Sequence, residues 1–152
     1  MTPSTSQDLQ DYLFENIPLT RALGVSVIEA SLERVVIGAP LDANLNHKRT
    51  AFGGSLHMMA TLSCWGLLYL NLRKLSSPTE IVIAKSEIDY LLPVKEDFVA
   101  VSSFPKIEDW RRFESMLMKK GKGRLPMIST ILSTDGRDAV TYRGEFAALK
   151  AT

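Results

Sequence analysis

The sequence predicts an α+β fold, in which a curved antiparallel sheet of about six strands wraps one long central helix, Gly53 to Leu75. Three observations predict it. No Lys, Arg, Asp or Glu occurs between Arg49 and Arg73, and apolar residues lie on nearly all sides of the helix this interval would form, so other structure must enclose it. The segments around it alternate in polarity, as strands do when one face is buried. The lengths also agree: a strand of about nine or ten residues at about 3.3 Å each spans about 30 Å, the length of a helix of about 20 residues.

An uncharged run this long also meets the length criterion for a membrane span. Ser55, His57, Thr61, Ser63 and Asn71 interrupt it, and a lone span would leave the alternating strands without a core. No membrane span is expected. The 152 residues, 45% of them hydrophobic, fit a single domain over residues 1–152. A net charge of +1 supplies no bulk attraction to nucleic acid or to a membrane surface. The lone cysteine, Cys64, excludes an intramolecular disulfide and a multi-cysteine metal site and points to the reducing cytoplasm. Residues 1–6 are polar and run into acidic residues, unlike a secretory signal; they are expected to be loosely ordered.

In chain order, Ser6 can cap a first helix whose apolar face is Leu9, Tyr12, Leu13 and Ile17, with Pro18 marking its end or a kink. Val25 to Leu32 and Arg34 to Leu41 are β-branched runs that meet at Glu33 and read as a hairpin. Asp42 to Arg49 is a polar loop leading into Thr50-Ala51-Phe52-Gly53-Gly54-Ser55 and the central helix. That helix ends with Arg73 and Lys74 in its last turn, where cations suit the negative end of the dipole, and Ser76-Ser77-Pro78 breaks the chain. Ile81 to Leu91 alternates, with Val82, Ala84, Ser86, Ile88 and Tyr90 on one face and Lys85, Glu87 and Asp89 on the other. Phe98 to Phe104 returns as the next strand. Ile107 to Lys120 carries Trp110, Phe113 and Leu117 at helical spacing and ends at Gly121. Arg124 to Ser133 and Asp138 to Leu149 are strands joined by Thr134-Asp135-Gly136-Arg137, a hairpin signal.

Asn44-Leu45-Asn46, then Thr50-Ala51-Phe52-Gly53-Gly54-Ser55-Leu56, then Ile88-Asp89-Tyr90-Leu91-Leu92-Pro93-Val94, in that order, resembles the hot-dog thioesterases. The chain is most similar in pattern to the thioesterase domain at the C-terminus of bacterial YiiD proteins, over about Leu9 to Leu149. The resemblance implies a homodimer or dimer of dimers, with sheets joined edge to edge and acyl-thioester sites at the subunit interface. The implied substrate is an acyl-CoA or an acyl carrier protein thioester, with no separate cofactor, metal or nucleic-acid partner.

Physics gives the Gly-Gly entrance a use in such a site. Glycines let a ligand approach the backbone, and the first amides of a helix point outward unpaired. A thioester carbonyl placed there would have its developing negative charge stabilised. The plainer alternative is that Gly53 and Gly54 only permit tight packing at a buried helix start.

In the phenylacetyl-CoA type of hot-dog thioesterase, an Asn precedes a His-Gly-Gly triplet and a catalytic Asp follows on the helix. Here Asn46 and Gly53-Gly54 occupy the first two places, Phe52 replaces the His, and Thr61 stands where the Asp would be. Thr61 is neutral and cannot act unaided as the base. Three substitutes are open. His57 shares a helical stripe with Thr61 and Cys64 and could activate Thr61 or a water, or it is an ordinary helix-buried histidine. Asp42 could reach the entrance as base or nucleophile, or it is a solvated turn former. Asn44, Asn46 and Ser55 could orient a water against the polarised carbonyl.

The candidate catalytic residues are therefore Asn46, Gly54, Ser55, Asp42 and Thr61, and the candidate substrate-binding residues are Asn44, Phe52, Gly53, His57 and Met58. Cys64 reads as a buried structural thiol, and Trp65 and Tyr69 as core or dimer packing. Lys106 to Arg124 carries an excess of basic residues that could meet coenzyme A phosphates or an acidic carrier protein, or could be a solvated face. The missing carboxylate keeps a second reading open, a module that holds acyl thioesters without cleaving them.

Overall fold

The structure, a computed structural model, describes residues 5–75 and 78–151. The helix at its centre, α3 (Gly53–Leu72), is preceded by α1 (Thr5–Asn16), α2 (Leu19–Leu23), β1 (Ser26–Ala30), β2 (Arg34–Ala39) and a single 3-10 turn at Asp42–Asn44. It is followed by β3 (Thr79–Tyr90), β4 (Phe98–Ser103), α4 (Ile107–Lys120), β5 (Lys122–Leu132) and β6 (Asp138–Lys150). The six strands form one curved antiparallel sheet in the order β1-β2-β4-β5-β6-β3. Helix α3 lies along its concave face and touches β2, β3, β4, β5 and β6. This is the hot-dog arrangement that the sequence predicts.

The core forms because α3 is apolar nearly all round. Leu56, Met59, Ala60, Leu67, Leu68 and Leu70 are buried against Val35, Ile37, Phe98, Ala100, Leu125, Ile131, Val140 and Phe146 of the sheet. Leu9 and Leu13 of α1 close one side, and Leu9 reaches α3 where Gly66 would otherwise carry a Cβ 3.1 Å from it. Helix α4 buries Phe113 and Leu117 and ends at Gly121, whose φ of 75° is the left-handed conformation that glycine adopts most easily.

Four expectations need correction. Helix α3 stops at Leu72, not Leu75, because the ladder tightens: Leu75 N–H donates to Leu72 O at 3.0 Å in a three-residue turn. Arg73 and Lys74 therefore follow the helix instead of closing it. Thr5 and Ser6 are already helical in α1, where Ser6 lies inside the first turn and is not its cap. Residues 1–4, the rest of the segment expected to be loosely ordered, lie outside the described residues, as do Ser76 and Ser77.

The last correction concerns β3. Its pairing with β6 slips between Ile83 and Lys85, so Ala84 is an extra residue in a bulge. Before the bulge Ile81 faces inward, while Val82 and Ile83 are 46% and 45% exposed. After it Ser86 and Ile88 face inward. The single phase expected for Val82 through Tyr90 is two phases in the molecule. Among the described residues, no helix is long and apolar enough to cross a membrane.

Candidate active site

The start of α3 is held by three short backbone hydrogen bonds. Ala51 N–H donates to Val94 O at 2.8 Å, Phe52 N–H to Asn44 O at 2.7 Å, and Leu56 N–H to Phe52 O at 3.1 Å. Phe52 is the N-cap and its side chain caps nothing. The N–H groups of Gly53, Gly54 and Ser55 consequently have no hydrogen-bond partner among the described residues. They carry the positive end of the helix dipole. A cleft of about 240 Å³ opens beside Gly53, lined also by Ala51, Leu56, Tyr90, Leu91, Leu92, Pro93 and Val94.

The two glycines have different reasons. A Cβ on Gly54 would stand 2.5 Å from Cε2 of Phe52, so Gly54 lets that half-exposed ring lie across the helix start. A Cβ on Gly53 would meet the Tyr90 ring at 3.4 Å, an ordinary contact. Gly53 is instead tied through its carbonyl, which accepts the Tyr90 hydroxyl at 2.9 Å.

The two asparagines hold the loop that delivers the entrance. Asn46 Oδ1 accepts Lys48 N–H at 2.9 Å and Thr50 N–H at 3.1 Å, and its Nδ2 donates to Thr50 Oγ1 at 2.9 Å. Asn44 is buried, and its Nδ2 donates to Leu23 O and Pro40 O at 2.9 and 2.8 Å. Those two acceptors fix the amide orientation and leave Oδ1 buried without a partner. Asp42 opens the 3-10 turn and is exposed to solvent.

Further along α3, the structure brings together groups from three elements. His57 Nε2 lies 3.0 Å from Ser86 Oγ on β3. Thr61 Oγ1 donates to the Tyr142 hydroxyl of β6 at 3.1 Å. The His57 and Tyr142 rings meet edge to face with centroids 5.7 Å apart. Burial raises the Tyr142 pKa, with the contacts to Thr61 and Ser86 pulling the other way, so Tyr142 is a neutral hydrogen-bonding hydroxyl. Met58 lies half-buried on the open stripe of α3, and Trp65 and Tyr69 continue it under Tyr12 of α1, whose ring stacks on Tyr69 at 4.2 Å.

Residues 6–150 match the profile of the family described as "Putative thioesterase (yiiD_Cterm)". The chain belongs to this YiiD_C family. A solved structure of a protein of unknown function from Chlorobaculum tepidum TLS is similar at 27% identity and a TM-score of 0.89, over 96% of this chain and 94% of that one. A thioesterase described as putative, from Shewanella oneidensis, is 22% identical with a TM-score of 0.83, over 95% and 97% of the two chains. The E. coli PaaI protein from the phenylacetic acid degradation operon is 16% identical with a TM-score of 0.69, over 97% and 94%. The last two likenesses show a shared fold.

Within this YiiD_C chain, the sequence singles out the helix entrance, His57 and Thr61, which the structure sets along the first turns of α3. It does not single out Tyr142 or Ser86, their hydrogen-bonding neighbours. The available signal was Ser86 itself, a small polar residue on the inward phase of an otherwise apolar strand face. The basic residues near α4 lie at the other end of the molecule from the entrance, since Leu75, beyond the end of α3, shares a pocket with Arg111, Glu114, Ser115 and Met118 of α4. A larger groove of about 650 Å³ lies on the outer face of the sheet, between Arg34, Val101, Phe104, Ile128 and Arg143, away from the entrance.

Proposed function

We propose that this YiiD_C protein hydrolyses an acyl thioester of coenzyme A or of an acyl carrier protein in the cytoplasm. The observation that carries the proposal is the set of unpaired N–H groups at Gly53, Gly54 and Ser55, with an open cleft beside the first of them. The thioester oxygen accepts from the Gly54 and Ser55 amides, and the negative charge that develops on it as the carbonyl is attacked falls at the positive end of α3. Phe52, Gly53 and Met58 line the approach, and Asn44 and Asn46 act through the loop they fasten.

The working unit is a homodimer, alone or paired into a dimer of dimers. Two β3 strands joined antiparallel about a twofold axis run their α3 helices in opposite directions. Each entrance then faces the second copy's α4 end, where Arg111, Lys119, Lys120 and Lys122 are exposed and can meet phosphates or acidic side chains.

Ser55→Pro tests the amides directly. Proline is tolerated in the first helical turn and removes one N–H. With a panel of acyl-CoA thioesters and thiol release as the readout, the variant is expected to lose about 100- to 1,000-fold in kcat, as other oxyanion donors do. Unchanged turnover would reject the entrance as the oxyanion site. One observation favours the second reading, a binding module without turnover: among the described residues, no carboxylate is a hydrogen-bond partner of His57, Ser86, Thr61 or Tyr142. Saturable acyl-CoA binding with no thiol release at any chain length would establish it.

A further inference from the structure

We propose that Ser86 is the acyl-accepting nucleophile of this site and His57 its base, an inference that rests on the hydrolase reading above. Four features of three different elements converge on the Ser86 hydroxyl. The first is the distance itself, 3.0 Å from Oγ to His57 Nε2, the reach at which an imidazole takes a serine proton. The second is the bulge at Ala84. Without that extra residue Lys85 and Glu87 would hold the inward phase; with it, Ser86 turns toward α3, which is how bulges re-aim single side chains.

The third feature is Gly144, which pairs with Ser86 across β3 and β6. A Cβ there would lie 2.7 Å from the Tyr142 hydroxyl and 2.7 Å from Cε1 of Phe146. The missing side chain gives Tyr142 room to bring its ring edge against His57 and its hydroxyl to Thr61. Packing by Tyr142 therefore orients the imidazole, one of the tasks a carboxylate performs in a triad. The fourth is position along the helix: His57 lies three residues beyond Gly54, about 4.5 Å further along the axis. Helical N–H groups point toward the N-terminus, so a carbonyl held by the Gly54 and Ser55 amides lies ahead of the helix start, and the His57 side chain tilts back toward that end.

The chemistry balances within this set. Ser86 Oγ attacks the thioester carbon while its proton passes to His57 Nε2, and the carbonyl electron pair moves onto the oxygen held by the amides. Collapse of that intermediate breaks the C–S bond, and the imidazolium returns the proton to the departing sulfur. Water then attacks the Ser86 ester, giving its proton to His57. The ester C–O bond breaks, Ser86 Oγ regains a proton, and the carboxylic acid leaves.

The test follows octanoyl-CoA with the full chain, reading thiol release by quenched flow and acyl adducts by intact mass and peptide mapping. Ser86→Ala and His57→Gln are expected to lower kcat at least about 100-fold. Ser86→Cys, which keeps a nucleophile at the same place and guards against a folding defect in the alanine variant, is expected to give a burst of thiol and an acyl adduct mapped to that position. A hydroxyl serving only structure would give no such adduct. Turnover by Ser86→Ala within about twofold of wild type, or an adduct on another side chain, overturns the assignment and leaves the hydrolase reading standing. No thiol release by wild type from any acyl-CoA, with Ser86→Cys unacylated, overturns both.

Discussion

Among single residues, the contrast between Cys64 and Ser86 shows why proximity to the helix stripe does not by itself make a nucleophile. Cys64 is fully buried, and burial pushes its thiol from 9.0 up to about 12, against hydrogen bonds with Ser102 and Ser63 that pull it down. Ser102 Oγ lies 3.0 Å from Ile128 O and 3.5 Å from Cys64 Sγ, and it has one proton to give. The closer carbonyl takes it, so the thiol keeps its own hydrogen and points it at Ser102. A protonated thiol is a poor nucleophile. Iodoacetamide at mildly alkaline pH is therefore expected to leave Cys64 unmodified in the folded protein and to label it fully in denaturant, read by intact mass. The same shift carries a sign for stability. A folded pKa above the unfolded one means the thiol's contribution is complete below pH 9.0 and is lost as pH rises toward about 12. Cys64→Ala should remove that part of the alkaline loss in a denaturation series. Labelling of native Cys64 at the rate of a free thiol would contradict the assignment.

Among the elements, β3 and β6 decide how much of the site is visible in advance. Gly144→Ala is expected to cost about 1–3 kcal/mol by crowding Tyr142 and Phe146. Tyr142→Phe added to it should recover part of that cost by removing one of the two crowded atoms, although alone it loses the bond from Thr61 and about 0.5–1.5 kcal/mol. Urea denaturation of the four proteins measures both, and equal costs with and without the hydroxyl would remove Tyr142 from the explanation. Long elements with strong chemistry were legible: α3 from its uncharged run, α4 from its period and Gly121, the β5–β6 hairpin from Asp135-Gly136. The entrance was legible too, because Gly53-Gly54 ahead of an apolar run marks a helix start. The bulge was not, since Ala84-Lys85 bears no residue-type mark of a phase slip. Nor were the pairings of His57 with Ser86, 29 residues apart, and Thr61 with Tyr142, 81 apart. Those depend on β3 lying beside β6 at the sheet edge, which no local pattern specifies.

For the molecule as a whole, the same edge poses a physical problem that a second copy would solve. Strand β3 is 12 residues long and ends the sheet, paired to β6 on one side only among the described residues. Val82 and Ile83 are nearly half exposed on it, and a long apolar edge left open is a template for aggregation. Beside it runs the partly exposed stripe of α3, Met58, Thr61, Trp65 and Tyr69, the last two already stacked on one side by Tyr12 of α1. Antiparallel pairing of two β3 strands would satisfy the open edge and cover both stripes at once, since a twofold interface presents the same patch from each side. Sedimentation velocity is expected to show a dimer. Changing Val82 and Ile83 together to Glu places like charges opposite one another across the axis and adds to Glu80 and Glu87 on the same strand. The dissociation constant should rise at least tenfold, or about 1.4 kcal/mol, and added salt should reverse part of the loss. Thiol release should fall in step with the dimer fraction, because dissociation takes the second copy's α4 cations away from each entrance. A wild-type monomer with full activity would show instead that one copy holds the whole site.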